Sequence, residues 1–202
     1  MKSIVFAFFA LCAPLCAERM SPDEERPELQ PCYLPERGVY TVLHLTPDGI
    51  IELNNEYQFE VVDGSNVYRR WNLKDRIAIT PNNSFLYSGE YVAVNLTKNQ
   101  TAMVKILRGA HLEDPRADLL AKIDEAREEI VLSNSKKIET RWKINHDDFR
   151  DLLKYWKIGT SVMVGKNDTS WISSLFSSDP HILICFYATE RNLYVRATQI
   201  PL

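Results

Sequence analysis

An internal repeat restricts the fold of this chain more than any other feature of its sequence. The same spacing, 85 positions, separates Trp71 from Trp156 and Asn82 from Asn167. Between each tryptophan and its asparagine lies a segment in which apolar residues alternate with other residues, as in a half-buried β-strand. Self-similarity at a fixed spacing predicts that one structural unit is used twice.

The repeat extends beyond these anchor points. Its spacing aligns Tyr57 with Trp142, and upstream Ile51–Asn54 resembles Ile130–Ser133. Downstream the spacing grows to 90 and then to 91, where Val104 aligns with Val195. We therefore expect the second copy to contain a longer loop, within residues 169–180.

The first copy reads as a series of short strands. Val39–Leu45 and Ile50–Leu53 flank a Pro47-Asp48-Gly49 turn, which predicts a β-hairpin. Further strands are predicted at Tyr57–Val61, Arg76–Thr80, Tyr91–Leu96 and Ala102–Leu107. Strands at this spacing favour a small sandwich or barrel. We predict a mainly β protein of two tandem SH3-like β-barrel units, at residues 38–110 and 111–202, with one or two short helices.

Two segments of the second unit have sequence features of α-helices. Pro115–Leu132 has apolar residues at helical spacing, but the repeat predicts a hairpin there, with Asp124–Glu129 as its charged turn; the sequence leaves both structures open. Asn145–Trp156 predicts a helix capped by Asn145 or Asp147. Its counterpart in the first unit, Gly64–Trp71, has room for one helical turn.

The N-terminus predicts export. Residues 1–17 place one lysine before an apolar run and end in small residues, as a cleavable signal peptide does. A lipidated Cys16 or Cys12 is an alternative. Residues 18–37 contain four prolines and predict an extended arm. The N-terminal run is too short for a transmembrane helix, and no second apolar stretch of spanning length follows it. We therefore expect a soluble or peripheral mature protein in the periplasm, the envelope or outside the cell.

Charge and cysteine usage narrow the classes of partner and cofactor. The net charge is −3, and the basic residues are scattered apart from short pairs such as Arg69-Arg70 and Lys136-Lys137. This distribution predicts no nucleic-acid partner. Cys32 and Cys185 form a candidate disulfide, or Cys185 is simply a core thiol. Metal-ligand spacings of Cys and His are absent from the sequence, and we expect no metal or cofactor.

The repeated motif resembles one in uncharacterised exported proteins of Chlamydia-like bacteria. The residues that carry the resemblance are Trp71, Asp75, Ile77, Ile79, Asn82, Tyr91 and Asn95 in the first copy, and Trp142, Trp156, Gly159, Val162, Val164 and Asn167 in the second. Lys74 stands where the motif has glycine, and Thr160 stands where it has aspartate. The resemblance implies duplication and an envelope setting, and it implies no activity.

Candidate functional residues are mainly aromatic. Trp171 and Phe176 lie in the long loop of the second copy, and Trp142 and Tyr57 begin matching strands; exposed aromatic rings on a β surface can hold sugars or peptides. The Gly-x-Ser-x-Gly motif of hydrolases is absent from the sequence. We expect a non-enzymatic binding protein for a protein, peptide or glycan. An exported hydrolase and a self-associating envelope component are the alternatives.

Overall fold

Twelve strands and two helices make up the described part of the chain. The computed structural model describes residues 36–83, 90–111, 117–167, 179–186 and 194–202. The predicted signal peptide and most of the arm lie outside these ranges. The first copy contains β1 (Val39–Leu45), β2 (Ile50–Leu53), β3 (Gln58–Asp63), α1 (Ser65–Tyr68), β4 (Arg76–Pro81), β5 (Tyr91–Asn95) and β6 (Gln100–Arg108). The second contains β7 (Asp118–Asp124), β8 (Glu129–Ser133), β9 (Glu139–Ile144), α2 (His146–Tyr155), β10 (Ser161–Lys166), β11 (His181–Cys185) and β12 (Tyr194–Ile200).

Each copy closes into an antiparallel barrel, and the two barrels have the same topology. The strand order is β1-β2-β3-β6-β5-β4 in the first and β7-β8-β9-β12-β11-β10 in the second. The pairing register shifts at the same place in both, next to Leu43 in β1 and next to Ala121 in β7. The expectation of a mainly β protein with two tandem barrels and short helices is confirmed, whereas the SH3-like type stays a prediction.

The segment 118–133 is a hairpin. β7 pairs with β8 in a ladder that includes Leu120 with Leu132 and Ile123 with Ile130. Leu120, Ile130 and Leu132 are all fully buried. Ile130 and Leu132 are two residues apart, and side chains at that spacing lie on the same face of a strand but not of a helix. The helical alternative for Pro115–Leu132 is therefore wrong within the described residues, because the barrel needs both strands to close.

The alignment of the two copies needs a correction of two residues in two strands, β9 and β12. β2 pairs Ile51 with Phe59, while β8 pairs Ile130 with Trp142. Trp142 thus corresponds to Phe59, and Tyr57 corresponds to Thr140. In β12, Val195 corresponds to Ala102 and not to Val104, because Val195 pairs with Leu183 as Ala102 pairs with Ala93. A slip of two residues keeps every side chain on the same face of the sheet, so the apolar pattern alone does not reveal it.

Helix α2 caps one end of the second barrel. The side chain of Asn145 accepts a hydrogen bond from the backbone N–H of Asp147 at 3.1 Å, which confirms the predicted cap. Phe149, Leu152 and the following Trp156 are buried in the second core. Trp71 and Trp156 are each 4% exposed. Within the described ranges, neither helix has the length and apolar character that a membrane crossing requires.

The two barrels share a buried junction between β4 and β10. Met163, Ile182 and Ile184 point away from the second core and belong to the core cluster of the first barrel. The hydroxyl of Tyr40 donates to the carbonyl of Val164 at 2.9 Å. The barrels therefore form one packed body, and their outer surfaces are held in fixed positions.

Candidate functional site

Two of the predicted ligand-binding aromatics are core residues. Tyr57 is 1% exposed and Trp142 is 0% exposed. The hydroxyls of Tyr57 and Ser161 share a hydrogen bond of 2.9 Å, and the indole N–H of Trp142 donates to the hydroxyl of Thr140 at 2.9 Å. These rings have no open face, so the expectation that they contact a ligand is corrected. Trp171 and Phe176 lie outside the described residues.

Cys185 lies in the core of the second barrel. It is 3% exposed, and its thiol lies 3.6 Å from the hydroxyl of Thr160. Its suggested partner, Cys32, lies outside the described residues, so the disulfide stays a prediction. His181 begins β11 and Cys185 ends it. A rise of four residues along the strand separates them by about 13 Å, too far for a catalytic pair.

A surface pocket lies at the N-terminus of α2. It has a volume of about 330 Å³ and opens to solvent. We name it the α2 pocket; its lining residues are Glu128, His146, Asp147, Phe149, Arg150 and Leu153. The β7–β8 turn supplies Glu128, and the first two turns of α2 supply the others. The lining combines both signs of charge with an apolar floor, which suits an amphipathic ligand.

Glu128 is the electrostatic centre of the α2 pocket. Its carboxylate contacts the ring Nδ1 of His146 and accepts a hydrogen bond from the ammonium of Lys143 at 3.2 Å. The hydrogen bond with His146, followed by that from Lys143, lowers the pKa of Glu128. A backbone φ of +54° at Glu128 closes the turn that carries the carboxylate to α2. The pocket thus holds a carboxylate beside an imidazole.

The base of the β10–β11 loop is tied to the N-terminus of α2. The amide of Asn145, the helix cap, donates to the carboxylate of Asp179 at 2.9 Å. The hydroxyl of Thr198 donates to the other oxygen of Asp179 at 3.0 Å, and the amide of Asn167 donates to its carbonyl at 2.8 Å. The described ends of the loop, Asn167 and Asp179, are thus joined to each other, and Asp179 is joined to Asn145, which directly precedes the pocket residue His146.

The carboxylate of Asp148 is occupied by hydrogen bonds within the fold. It accepts hydrogen bonds from the backbone N–H and the guanidinium of Arg196 at 2.7–2.8 Å, and these bonds raise the pKa of Arg196. Among the described residues, no three His, Cys, Asp or Glu side chains are grouped closely enough to hold a metal ion.

The α2 pocket lacks a hydroxyl or thiol nucleophile. None of its six lining residues is Ser, Thr or Cys. His146 has a carboxylate partner, but its side chain is 82% exposed. What these groups can do chemically is bind polar ligands and exchange protons with them.

Sequence reasoning placed His146 and Asp147 at a helix start but missed Glu128. Glu128 precedes β8, and 18 residues separate it from His146. Only the hairpin assignment for 118–133 would have brought the two together, and the sequence left that assignment open.

Comparisons of the chain with family models, with curated proteins and with solved structures found no match.

Proposed function

We propose that the protein is an exported, non-enzymatic binding protein that holds a protein, peptide or glycan at the α2 pocket. The observation that carries this proposal is the attachment of the β10–β11 loop to the pocket's border through Asn145 and Asp179. Trp171 and Phe176, the aromatic candidates of the sequence, belong to the segment between those attachment points.

The charges of the α2 pocket favour a ligand with polar groups of both kinds. Glu128 and Asp147 accept hydrogen bonds, while Arg150 donates them. Phe149 and Leu153 supply an apolar floor. Peptides and glycans combine polar edges with apolar faces, so both classes fit.

A peptide array and a glycan array test the proposal, with the chain from residue 18 onward as the probe. Both barrels lie within residues 36–202, so this chain keeps every described contact. We expect a captured ligand whose Kd rises about tenfold or more in Arg150→Glu and in Trp171→Ala, the loss expected for one central contact. Arg108→Glu makes the same charge change on β6 and should leave the Kd unchanged.

Equal effects of the two charge reversals would contradict binding at the α2 pocket. Absence of any captured ligand, together with measured turnover of a substrate, would contradict binding as the function.

The contact between His146 and Glu128 favours hydrolysis as a second candidate. A carboxylate that orients an imidazole is the arrangement of a general base, and water would be the nucleophile. Ester, peptide and glycoside substrates test it. Turnover that is lost in His146→Ala and in Glu128→Gln supports this candidate, and turnover that both variants retain excludes it.

A further inference from the structure

The first barrel carries an exposed apolar and cationic surface, separate from the α2 pocket. Its apolar members are Leu43, Leu73 and Leu96, and its cationic members are Arg69, Arg70 and Lys74. We name these six residues the leucine–arginine patch. Leu73 is 59% exposed at the tip of the turn between α1 and β4, which makes it the most exposed large apolar residue of this barrel in the described ranges.

Backbone hydrogen bonds bring the three leucines and Lys74 together, and Arg69 and Arg70 precede the same turn in the chain. The N–H of Lys74 donates to the carbonyl of Val42 at 2.8 Å, which places the turn beside Leu43. The N–H of Leu96 donates to the carbonyl of Arg76 at 2.8 Å, which places Leu96 on the turn's other side. Leu43 and Leu96 are 49% and 40% exposed.

The cations of the patch are available to a ligand. Within the described residues, no carboxylate pairs with Arg69, Arg70 or Lys74. The one carboxylate of the turn, Asp75, is 5% exposed and is occupied by Asn95 and Lys98. The chain as a whole is acidic, with a net charge of −3, so the patch is a local concentration of positive charge.

The second barrel repeats the apolar tip. Ile158 stands at the position of Leu73, 85 residues later, and is 66% exposed. Lys157 lies exposed beside it. The side chain at the position of Leu73 and Ile158 is exposed to solvent. Neither the buried tryptophan before it nor the tight turn requires this side chain to be aliphatic. An exposed aliphatic side chain nevertheless stands at the tip of this turn in both copies.

We propose that the leucine–arginine patch docks on an anionic lipid surface. A projecting aliphatic tip can enter the headgroup region, while arginine and lysine around it pair with lipid phosphates. The patch is a projection with neither groove nor aromatic anchor, whereas peptide and protein sites favour pockets and aromatic anchors. The proposal concerns a different barrel from the α2 pocket and is independent of the ligand bound there.

Vesicle co-sedimentation tests the proposal, with the chain from residue 18 onward, so that residues 1–17 do not contribute apolar binding. The probes are phosphatidylcholine vesicles and vesicles in which one third of the lipid is phosphatidylglycerol. We expect binding to the anionic vesicles that weakens with added salt. Arg69→Gln with Arg70→Gln should weaken it roughly 25-fold, since each cation near such a surface contributes about fivefold.

Matched control variants distinguish vesicle binding by the leucine–arginine patch from binding through net charge alone. Lys136→Gln with Lys137→Gln makes the same change of net charge on an exposed turn of the second barrel and should leave binding unchanged. Leu73→Asn should weaken binding about tenfold through lost apolar insertion. Ile138→Asn is its control, because Ile138 is 54% exposed outside the patch. Circular dichroism establishes that each variant is folded.

Several outcomes would overturn the proposal. These are equal binding to neutral and anionic vesicles, no binding to either, or equal effects of the patch variants and their controls. Binding to a soluble polyanion such as heparin that is as tight as binding to vesicles and unchanged in Leu73→Asn would identify a general anion site instead. Self-association that Leu73→Asn abolishes would identify a surface for a second copy.

Discussion

Asp118 starts β7 with its carboxyl group largely buried at the junction of the barrels. Burial raises the pKa of this carboxyl, although the guanidinium of Arg37 lies 3.6 Å away and acts in the opposite direction. The charges and titratable groups around it are Arg37, Tyr40 and Tyr57, and its negative charge in turn contributes to raising the pKa of both tyrosines. The fold thus favours the neutral form of Asp118.

This burial predicts a pH-dependent effect of Asp118→Asn. Because burial makes the ionised carboxyl less favourable in the folded protein than in the unfolded chain, the variant should have the higher free energy of unfolding at pH 7. As the pH falls through the raised pKa of the folded state, Asp118 becomes neutral and the wild type regains stability. The difference should vanish below the ordinary pKa of aspartate, because both states are then protonated.

Urea denaturation at pH 7 and at pH 4 measures this effect. Asp151→Asn, at an exposed position of α2, is the control for the change in net charge. A gain in Asp118→Asn that is equal at both pH values, or a loss of stability at pH 7, would contradict the assignment.

Single residues also mark the limit of what the sequence revealed. Trp71 and Trp156 could be matched because each precedes the same tight turn. Tyr57 and Trp142 were expected on a surface, and both are buried. An aromatic residue on an alternating strand fits either face, and only the closure of the barrel decides which face is inside. Burial of Tyr57 also depends on Ser161, which lies 104 residues away in the other barrel.

The tight turn before β4 and before β10 is the element that the two copies share most clearly. Lys74 and Gly159 occupy the same place in it, with φ of +68° and +87°. In both copies the N–H of this residue donates to the strand opposite, to Val42 and to Leu120, at 2.8 Å. A left-handed backbone suits glycine and strains lysine.

Exchange of the residue at this position should change stability in opposite directions. Lys74→Gly should raise the free energy of unfolding by about 0.5–1 kcal/mol, because relief of strain outweighs the added freedom of the unfolded chain. Gly159→Ala should lower it by about 1 kcal/mol. A Cβ at residue 159 would meet no atom within 4 Å, so the loss would come from the backbone alone.

Urea denaturation of both variants measures these changes. A loss in both variants would contradict the shared turn geometry.

At the scale of elements, the local sequence pattern sufficed to predict most strands and failed for one hairpin. The first hairpin, the turn residues and the cap of α2 were all predicted from short-range signals. The hairpin 118–133 was ambiguous because its charged turn spaces the apolar residues as a helix does. The repeat supplied the missing information, since the first copy shows what the second must build there. Glu128, at that turn, was missed for the same reason.

At the scale of the whole molecule, the junction makes the two barrels one body. Every strand of the first barrel ends before residue 110, and every strand of the second begins after residue 111. The cores do not follow this division, because Met163, Ile182 and Ile184 pack with the first barrel. The sequence predicted the repeat but gave no sign of this packing, since an apolar residue on each face of β10 and β11 reads as an ordinary buried strand.

Gly165 allows the backbones of β4 and β10 to approach closely. A Cβ at this position would lie 2.6 Å from the carbonyl oxygen of Ile79 and 2.7 Å from Cγ1 of Ile182. The first atom is backbone of the other barrel, and the second belongs to a fully buried side chain. Gly165→Ala therefore has to separate the two strands, and we expect it to lower the free energy of unfolding by about 1–3 kcal/mol.

Amide exchange in Gly165→Ala should quicken in β4 and in β10 together, because both lose their packing partner while each barrel keeps its own ladder. Gly159→Ala adds the same methyl group in open space and should quicken exchange in β4 and β10 no more than in the other strands. Faster exchange confined to β10 would show that the barrels are held together elsewhere, and the junction would then not be what joins them.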